Sequence, residues 1–159
     1  MTRQVLIPQT SAALDAWVRL LRSHASARRI LSTGLSDDHE LSINEYECLL
    51  RLSHADQNAM RRIDLSEALL LTPSGVTRLL EGLEAAGFVE KGTCDTDARV
   101  TYAVLTDLGR RKIEEASRTH LAQVEDLFDA HYSPEEQATL AELLGRLSGD
   151  VDVSECNPG

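Results

Sequence analysis

At 159 residues, with 42% hydrophobic and 4% aromatic content, the chain is sized for one domain whose core is packed mainly by leucine and alanine, as in helical proteins. No stretch approaches the roughly twenty apolar residues of a membrane span, and the start, MTRQVLIPQT, lacks the apolar run of a secretory leader, so a cytoplasmic location is expected. Cys48, Cys94 and Cys156 lie far apart with no C-x-x-C, and the five histidines include no i, i+4 pair, so neither a disulfide framework nor a metal site or other cofactor is expected.

Residues 11–32 read as a long amphipathic helix, with Leu14, Trp17, Val18, Leu21, Ala25, Arg28 and Leu31 or Ile30 on or near one side. Residues 34–41, GLSDDHEL, read as a polar connection. Ser42 and Glu45 stand at capping-box spacing and open a second helix whose stripe is Tyr46, Leu49, Leu50 and Ser53. Residues 55–60 then read as a loop and 61–63 as a short strand carrying Arg61 and Arg62.

Residues 64–83, DLSEALLLTPSGVTRLLEGL, read as two short helices joined by a tight turn. Asp64 is the expected N-cap of the first, with Glu67 three residues on. Thr72-Pro73 supplies a fresh N-cap with proline at the first helical position of the next. There Val76, Leu79, Leu80 and Leu83 fall at i, i+3, i+4 and i+7, and Gly87 provides the stop. The opposite face carries Ser74, Gly75, Thr77, Arg78 and Glu81. Small hydroxyls and one arginine near a helix N-terminus suit close approach to DNA, where the amide ends favour phosphate and arginine can bond guanine edges. The same residues also fit an ordinary helical hairpin with a solvated face.

After Gly87, residues 88–91 read as a short strand, 92–99 as a polar turn-rich loop and 100–105 as a second strand. Strand, loop and strand behind a recognition helix form a wing. Thr106 caps a helix over residues 107–130 that begins basic, with Arg110, Arg111 and Lys112, and ends acidic, with Glu125, Asp126 and Asp129. Ser133-Pro134-Glu135-Glu136 opens a last helix with Leu140, Leu143, Leu144 and Leu147 at i, i+3, i+4 and i+7, and residues 149–159 read as an acidic disordered tail.

Leu69, Thr72, Ser74, Val76, Thr77, Leu79, Leu83 and Gly87, the D-x-D-x-R of Asp95, Asp97 and Arg99, and the Leu105-Thr106-Asp107-Leu108-Gly109 that follows carry a resemblance. In combination they resemble the MarR (multiple-antibiotic-resistance regulator) family of winged-helix transcription factors, over about residues 14–147. The resemblance implies a mainly α fold in one domain over 1–159: a winged helix-turn-helix at 42–105 and dimerisation helices at 11–33 and 107–148. It implies a homodimer on double-stranded DNA that represses from a pseudo-palindromic operator until an aromatic or phenolic effector releases it.

The net charge of −10 argues against a nucleic-acid partner until its distribution is examined. Residues 1–60 hold 6 basic and 7 acidic residues, 61–112 hold 8 and 8, and 113–159 hold 2 and 11, so the excess acid lies in the last third. Arg62, Ser74, Gly75, Thr77, Arg78, Lys91, Asp97 and Arg99 are the expected DNA-contacting set, Asp97 bracing Arg99 across the wing. The family's effector cleft lies between the first, second and fifth helices, which makes Trp17, His24, Arg28 and Tyr46 the ligand candidates, although each also reads as ordinary packing or surface.

Two alternatives stay open: a winged-helix module that binds protein, and an oxidant sensor acting through Cys94. Some relatives sense oxidants with a cysteine near the start of the first helix, where this chain has none. No G-x-S-x-G, G-x-G-x-x-G, P-loop or H-E-x-x-H motif is present, so no enzyme is expected.

Overall fold

The computed structural model describes residues 11–93 and 100–148. Helix α1, Ala12–His39, is capped by Ser11, whose hydroxyl accepts from the Leu14 amide. It continues through the expected connection at 34–41. The reason is tertiary: Leu35 and His39 are buried, the His39 ring lies 2.9 Å from the Thr119 hydroxyl, and Gly34 leaves room for the Gln123 side chain to lie on the helix backbone. The helix ends where Glu40 turns left-handed (φ 54°) and the Leu41 amide reaches back to the Leu35 carbonyl, with both leucines buried.

Helix α2, Ile43–His54, opens on the expected capping box: the Ser42 amide donates to Glu45 (2.7 Å) and the Glu45 amide to Ser42 (3.2 Å). Tyr46 and Leu49 are buried as expected, but Cys48 and Leu52 complete the inner face in place of Leu50 and Ser53. Leu50 is half-buried against the core, and Ser53 returns its hydroxyl to the Leu50 carbonyl.

After a single 3-10 turn, Asp56–Asn58, strand β1 covers Ala59–Arg61 and helix α3 covers Arg62–Ala68. The strand therefore lies two residues before the expected one. The helix begins at Arg62, and Asp64 sits inside its first turn instead of capping it. Long-range pairing moves this boundary: Arg61 aligns with Tyr102 and Ala59 with Val104 on strand β3, Thr101–Leu105.

Helix α4, Pro73–Ala85, has Thr72 as N-cap and ends at Gly87, whose φ of +76° suits a residue without a Cβ. Strand β2, Val89–Thr93, pairs antiparallel with β3, from Val89 opposite Leu105 to Thr93 opposite Thr101. The sheet order is β1-β3-β2. Helix α5, Asp107–Asp129, is capped by Thr106, and helix α6, Pro134–Ser148, follows the reciprocal bonds of Ser133 and Glu136.

One core joins these pieces, with Leu49, Leu52, Leu65, Leu80, Leu83, Val89, Leu105 and Ile113 all buried. Gly109 fixes the seat of α5 on the sheet, since a Cβ there would come within 2.1 Å of the Phe88 carbonyl oxygen. No described helix is long and apolar enough to cross a membrane. The expected tail at 149–159 lies outside the described residues.

Candidate nucleic-acid interface

The turn between α3 and α4 is closed by two backbone hydrogen bonds and one side-chain bond. The Leu70 amide donates to the Glu67 carbonyl and the Leu71 amide to the Ser66 carbonyl, which requires Leu70 to adopt φ +52°. Ser66 adds a 2.6 Å bond from its hydroxyl to the Leu71 carbonyl. The chain then re-enters helix at once, because the Thr72 hydroxyl accepts the Gly75 amide at 3.1 Å and Pro73 occupies a position whose amide has no helical partner anyway.

Val76, Leu80 and Leu83 are buried and anchor α4, while Ser74 and Arg78 are exposed and Gly75 and Thr77 are half-buried. The two hydroxyls are not equivalent. Ser74 lies 3.2 Å from the Thr72 hydroxyl, and Thr77 donates to the Pro73 carbonyl at 3.0 Å. Arg62 and Thr77 come together at a cleft of about 140 Å³ between α3 and α4, with Ile63, Ser66, Pro73 and Val76 completing its lining. Ile63 and Pro73 were not among the expected contacts. The signal for Ile63, an apolar residue off the buried face of its helix, emerges only once α3 is known to start at Arg62.

Arg61 is committed elsewhere: its guanidinium bonds both oxygens of Asp64. Lys91, exposed on β2, lies 3.4 Å from Glu84 at the end of α4, so its charge is partly balanced within the chain. Lys112 sits 5.8 Å above the Phe88 ring. Asp97, Arg99 and Cys94 lie outside the described residues.

Of the four effector candidates, Tyr46 is buried, its hydroxyl donating to Ser117 at 3.2 Å and its ring 4.5 Å from that of His120. Arg28 reaches α2, donating to Asn44 and to Glu47. Trp17 and His24 are exposed on α1, about three turns and one turn before Arg28. None of the four lines the cleft between α3 and α4, nor a second cleft of about 370 Å³ between α1 and α5.

Burial pushes the Cys48 thiol up to about 12 and lowers His120 from the ordinary histidine value. His120 Nδ1 has no hydrogen-bond partner among the described residues. Among those residues no three His, Cys, Asp or Glu side chains gather to hold a metal ion.

The family model for the MarR family matches residues 41–101, from the start of α2 to the start of β3. An uncharacterised HTH-type transcriptional regulator of Bacillus subtilis (strain 168), YdgJ, is 30% identical over 115 residues, covering 72% of this chain and 68% of its own. The crystal structure of AbsC, a MarR family transcriptional regulator from Streptomyces coelicolor, superposes with a TM-score of 0.78 at 26% identity, covering 89% of this chain and 96% of that one. Sco3205, a MarR family regulator of the same organism solved in complex with DNA, gives a TM-score of 0.78 at 22% identity over 90% and 91% of the two chains.

Proposed function

The chain belongs to the MarR family of DNA-binding transcriptional regulators, and from that premise we propose that it is a homodimeric repressor of a pseudo-palindromic operator, released by a small aromatic or phenolic ligand. It acts in the cytoplasm, by binding and not by catalysis.

The observation that carries this reading is the division of α4. Its buried residues fix the helix on the core, and its opposite face offers Arg78 to a base edge. The α1 and α6 faces support the dimer: Leu14, Trp17, Leu21, Leu143 and Leu147 are exposed, more apolar surface than a lone chain of this size favours. A second copy covering residues 11–33 and 107–148 relates two winged helix-turn-helix units (42–105) by a two-fold axis, as a palindromic site requires. Ser74, Gly75 and Thr77 approach the groove with Arg78, Arg62 and Lys91 meet phosphates, and on the sequence pattern Asp97 and Arg99 join the DNA-contacting set, Arg99 toward the minor groove. The proposed ligand enters between α1, α2 and α5, and to meet Arg28, His24, Trp17 and Tyr46 together it must displace the Arg28 bonds to Asn44 and Glu47 and open the packing over Tyr46.

The test is selection from a randomised duplex pool by wild type and Arg78→Ala at two salt concentrations. The wild type is expected to enrich a two-fold site with half-sites about one helical turn apart. Arg78→Ala is expected to relax preference at one position per half-site, a loss of about 1 to 3 kcal/mol of discrimination. A folded wild type that enriches no sequence at low salt, with or without aromatic carboxylates, removes the reading in favour of a protein-binding module.

A further inference from the structure

Ile63 is 54% exposed in the first turn of α3, although Leu65 two residues later is fully buried. It shares the 140 Å³ cleft with Pro73, which has no amide hydrogen, and with Thr77, whose hydroxyl is engaged by the Pro73 carbonyl. With its hydroxyl hydrogen committed to that carbonyl, Thr77 contributes its methyl group and a hydroxyl oxygen to the lining, and Ser66, which also lines the cleft, commits its own hydroxyl hydrogen to the Leu71 carbonyl. Val76, 2% exposed, also lines the cleft, and Arg62 adds a cation beside it. The result is a small apolar depression on the recognition helix, one residue before Arg78.

We propose that this depression reads a thymine by its 5-methyl group. The inference rests on the operator-binding reading above and adds a second base-reading element to Arg78. In the major groove thymine alone presents a methyl group, whereas the other base edges there present hydrogen-bond donors or acceptors. A polar edge seated against Ile63, Pro73 and the Thr77 methyl loses its water without gaining a partner, and the methyl loses only unfavourable hydration. At about 140 Å³ the cleft has room for a methyl group, and its lining supplies apolar surface for one. Thr77's bond to Pro73 holds its rotamer before DNA arrives, so little is lost in ordering it. Arg62 beside the cleft favours the adjoining phosphate, which sets the register at which the methyl enters.

The experiment takes the site enriched by the wild-type protein and replaces each thymine in turn by deoxyuridine, which pairs identically and lacks only the methyl. One position per half-site is expected to lose about four-fold in affinity, the factor for one buried methyl-sized group, and roughly fifteen-fold when both half-sites carry the change. In Ile63→Ser, checked for folding by circular dichroism, the thymine and deoxyuridine sites are expected to bind alike at that position. Ile63→Val, which keeps an apolar group, is expected to retain part of the discrimination. If the wild type selects a sequence yet no thymine responds to demethylation, the inference fails and the operator reading stands. A sensitive thymine that Ile63→Ser leaves sensitive also overturns it, by locating the methyl contact elsewhere. If no sequence is selected at all, the operator reading fails and the inference with it.

Discussion

Arg61 holds Asp64 through two parallel hydrogen bonds of 2.7 Å, Nε to Oδ2 and Nη2 to Oδ1, the fork geometry in which guanidinium and carboxylate match. The charge of Arg61 is thereby balanced three residues away on the same segment, whereas its neighbour Arg62 turns to the cleft beside α4. Arg62→Ala is therefore expected to flatten the slope of log affinity against log salt by about one phosphate's worth, with little change in sequence preference. Arg61→Ala is expected to flatten it by less. Titrations of one operator at four salt concentrations compare the two slopes, and a larger change for Arg61 would reverse the assignment.

The dimer prediction concerns Trp17 and Leu147, 52% and 72% exposed on α1 and α6. Charges placed on an apolar face that a second copy covers lose hydration without gaining partners. Trp17→Asp with Leu147→Glu is expected to convert a dimer into a monomer at micromolar concentration, read by light scattering. A wild type that is already monomeric would remove the homodimer from the reading.

Two glycines should respond oppositely to alanine. At Gly109 a Cβ would meet the Phe88 carbonyl at 2.1 Å, and that carbonyl already accepts the Thr106 amide, so α5 must shift on β2. Gly109→Ala is expected to destabilise by about 2 kcal/mol or more, read as a lower urea midpoint. At Gly82, exposed within α4, the added Cβ would sit 3.7 Å from Glu45, an ordinary contact. Gly82→Ala is expected to stabilise by up to about 1 kcal/mol through helix propensity.

Leu70 carries φ +52° while 93% exposed, so its side chain gains almost no packing in return for a left-handed backbone. Glycine adopts this conformation without the Cβ clash. Leu70→Gly is expected to raise the unfolding free energy by about 1 kcal/mol, measured by thermal melts. A drop of similar size would mean that Leu70 makes a contact in solution that outweighs its backbone strain.

Half-buried His120 and buried Cys48 contribute in opposite directions to how stability varies with pH. His120, packed on Tyr46, is held below the ordinary histidine value chiefly by burial, so the folded state binds fewer protons than the unfolded chain and stability falls as pH drops below about 6.5. His120→Gln is expected to reduce the difference in melting temperature between pH 7 and pH 5. Cys48 is displaced the other way, from 9.0 to about 12, so its contribution is complete below pH 9 and is lost as pH rises toward 12. Site-resolved mass spectrometry after iodoacetamide at pH 8 is expected to find Cys48 unmodified in the folded protein and modified in urea.

Where a signal is confined to one turn, the chain declares itself. The Ser42–Glu45 box, the Thr72–Pro73 and Thr106 caps and the Ser133–Glu136 box formed as read, and of the expected stripe Val76, Leu80 and Leu83 are buried while Leu79 is half-buried against the core, since capping and helical periodicity involve residues three or four apart. The family pattern was legible for the same reason, being concentrated in α4 and the turns around it. Tertiary structure decided the rest. Helix α1 persists through Gly34 to His39 because Gln123 and Thr119, eighty or more residues away, pack on it, and a polar sequence such as GLSDDHEL carries no trace of that. Helix α3 begins at Arg62 because β1 pairs with β3 some forty residues later, and that pairing turned Asp64 from a cap into the partner of Arg61. It also brought Ile63 out beside Thr77. Which of two adjacent arginines faces the cleft, and which isoleucine stays exposed beside it, depends on where a helix starts, and that boundary is set by hydrogen bonds to residues remote in sequence.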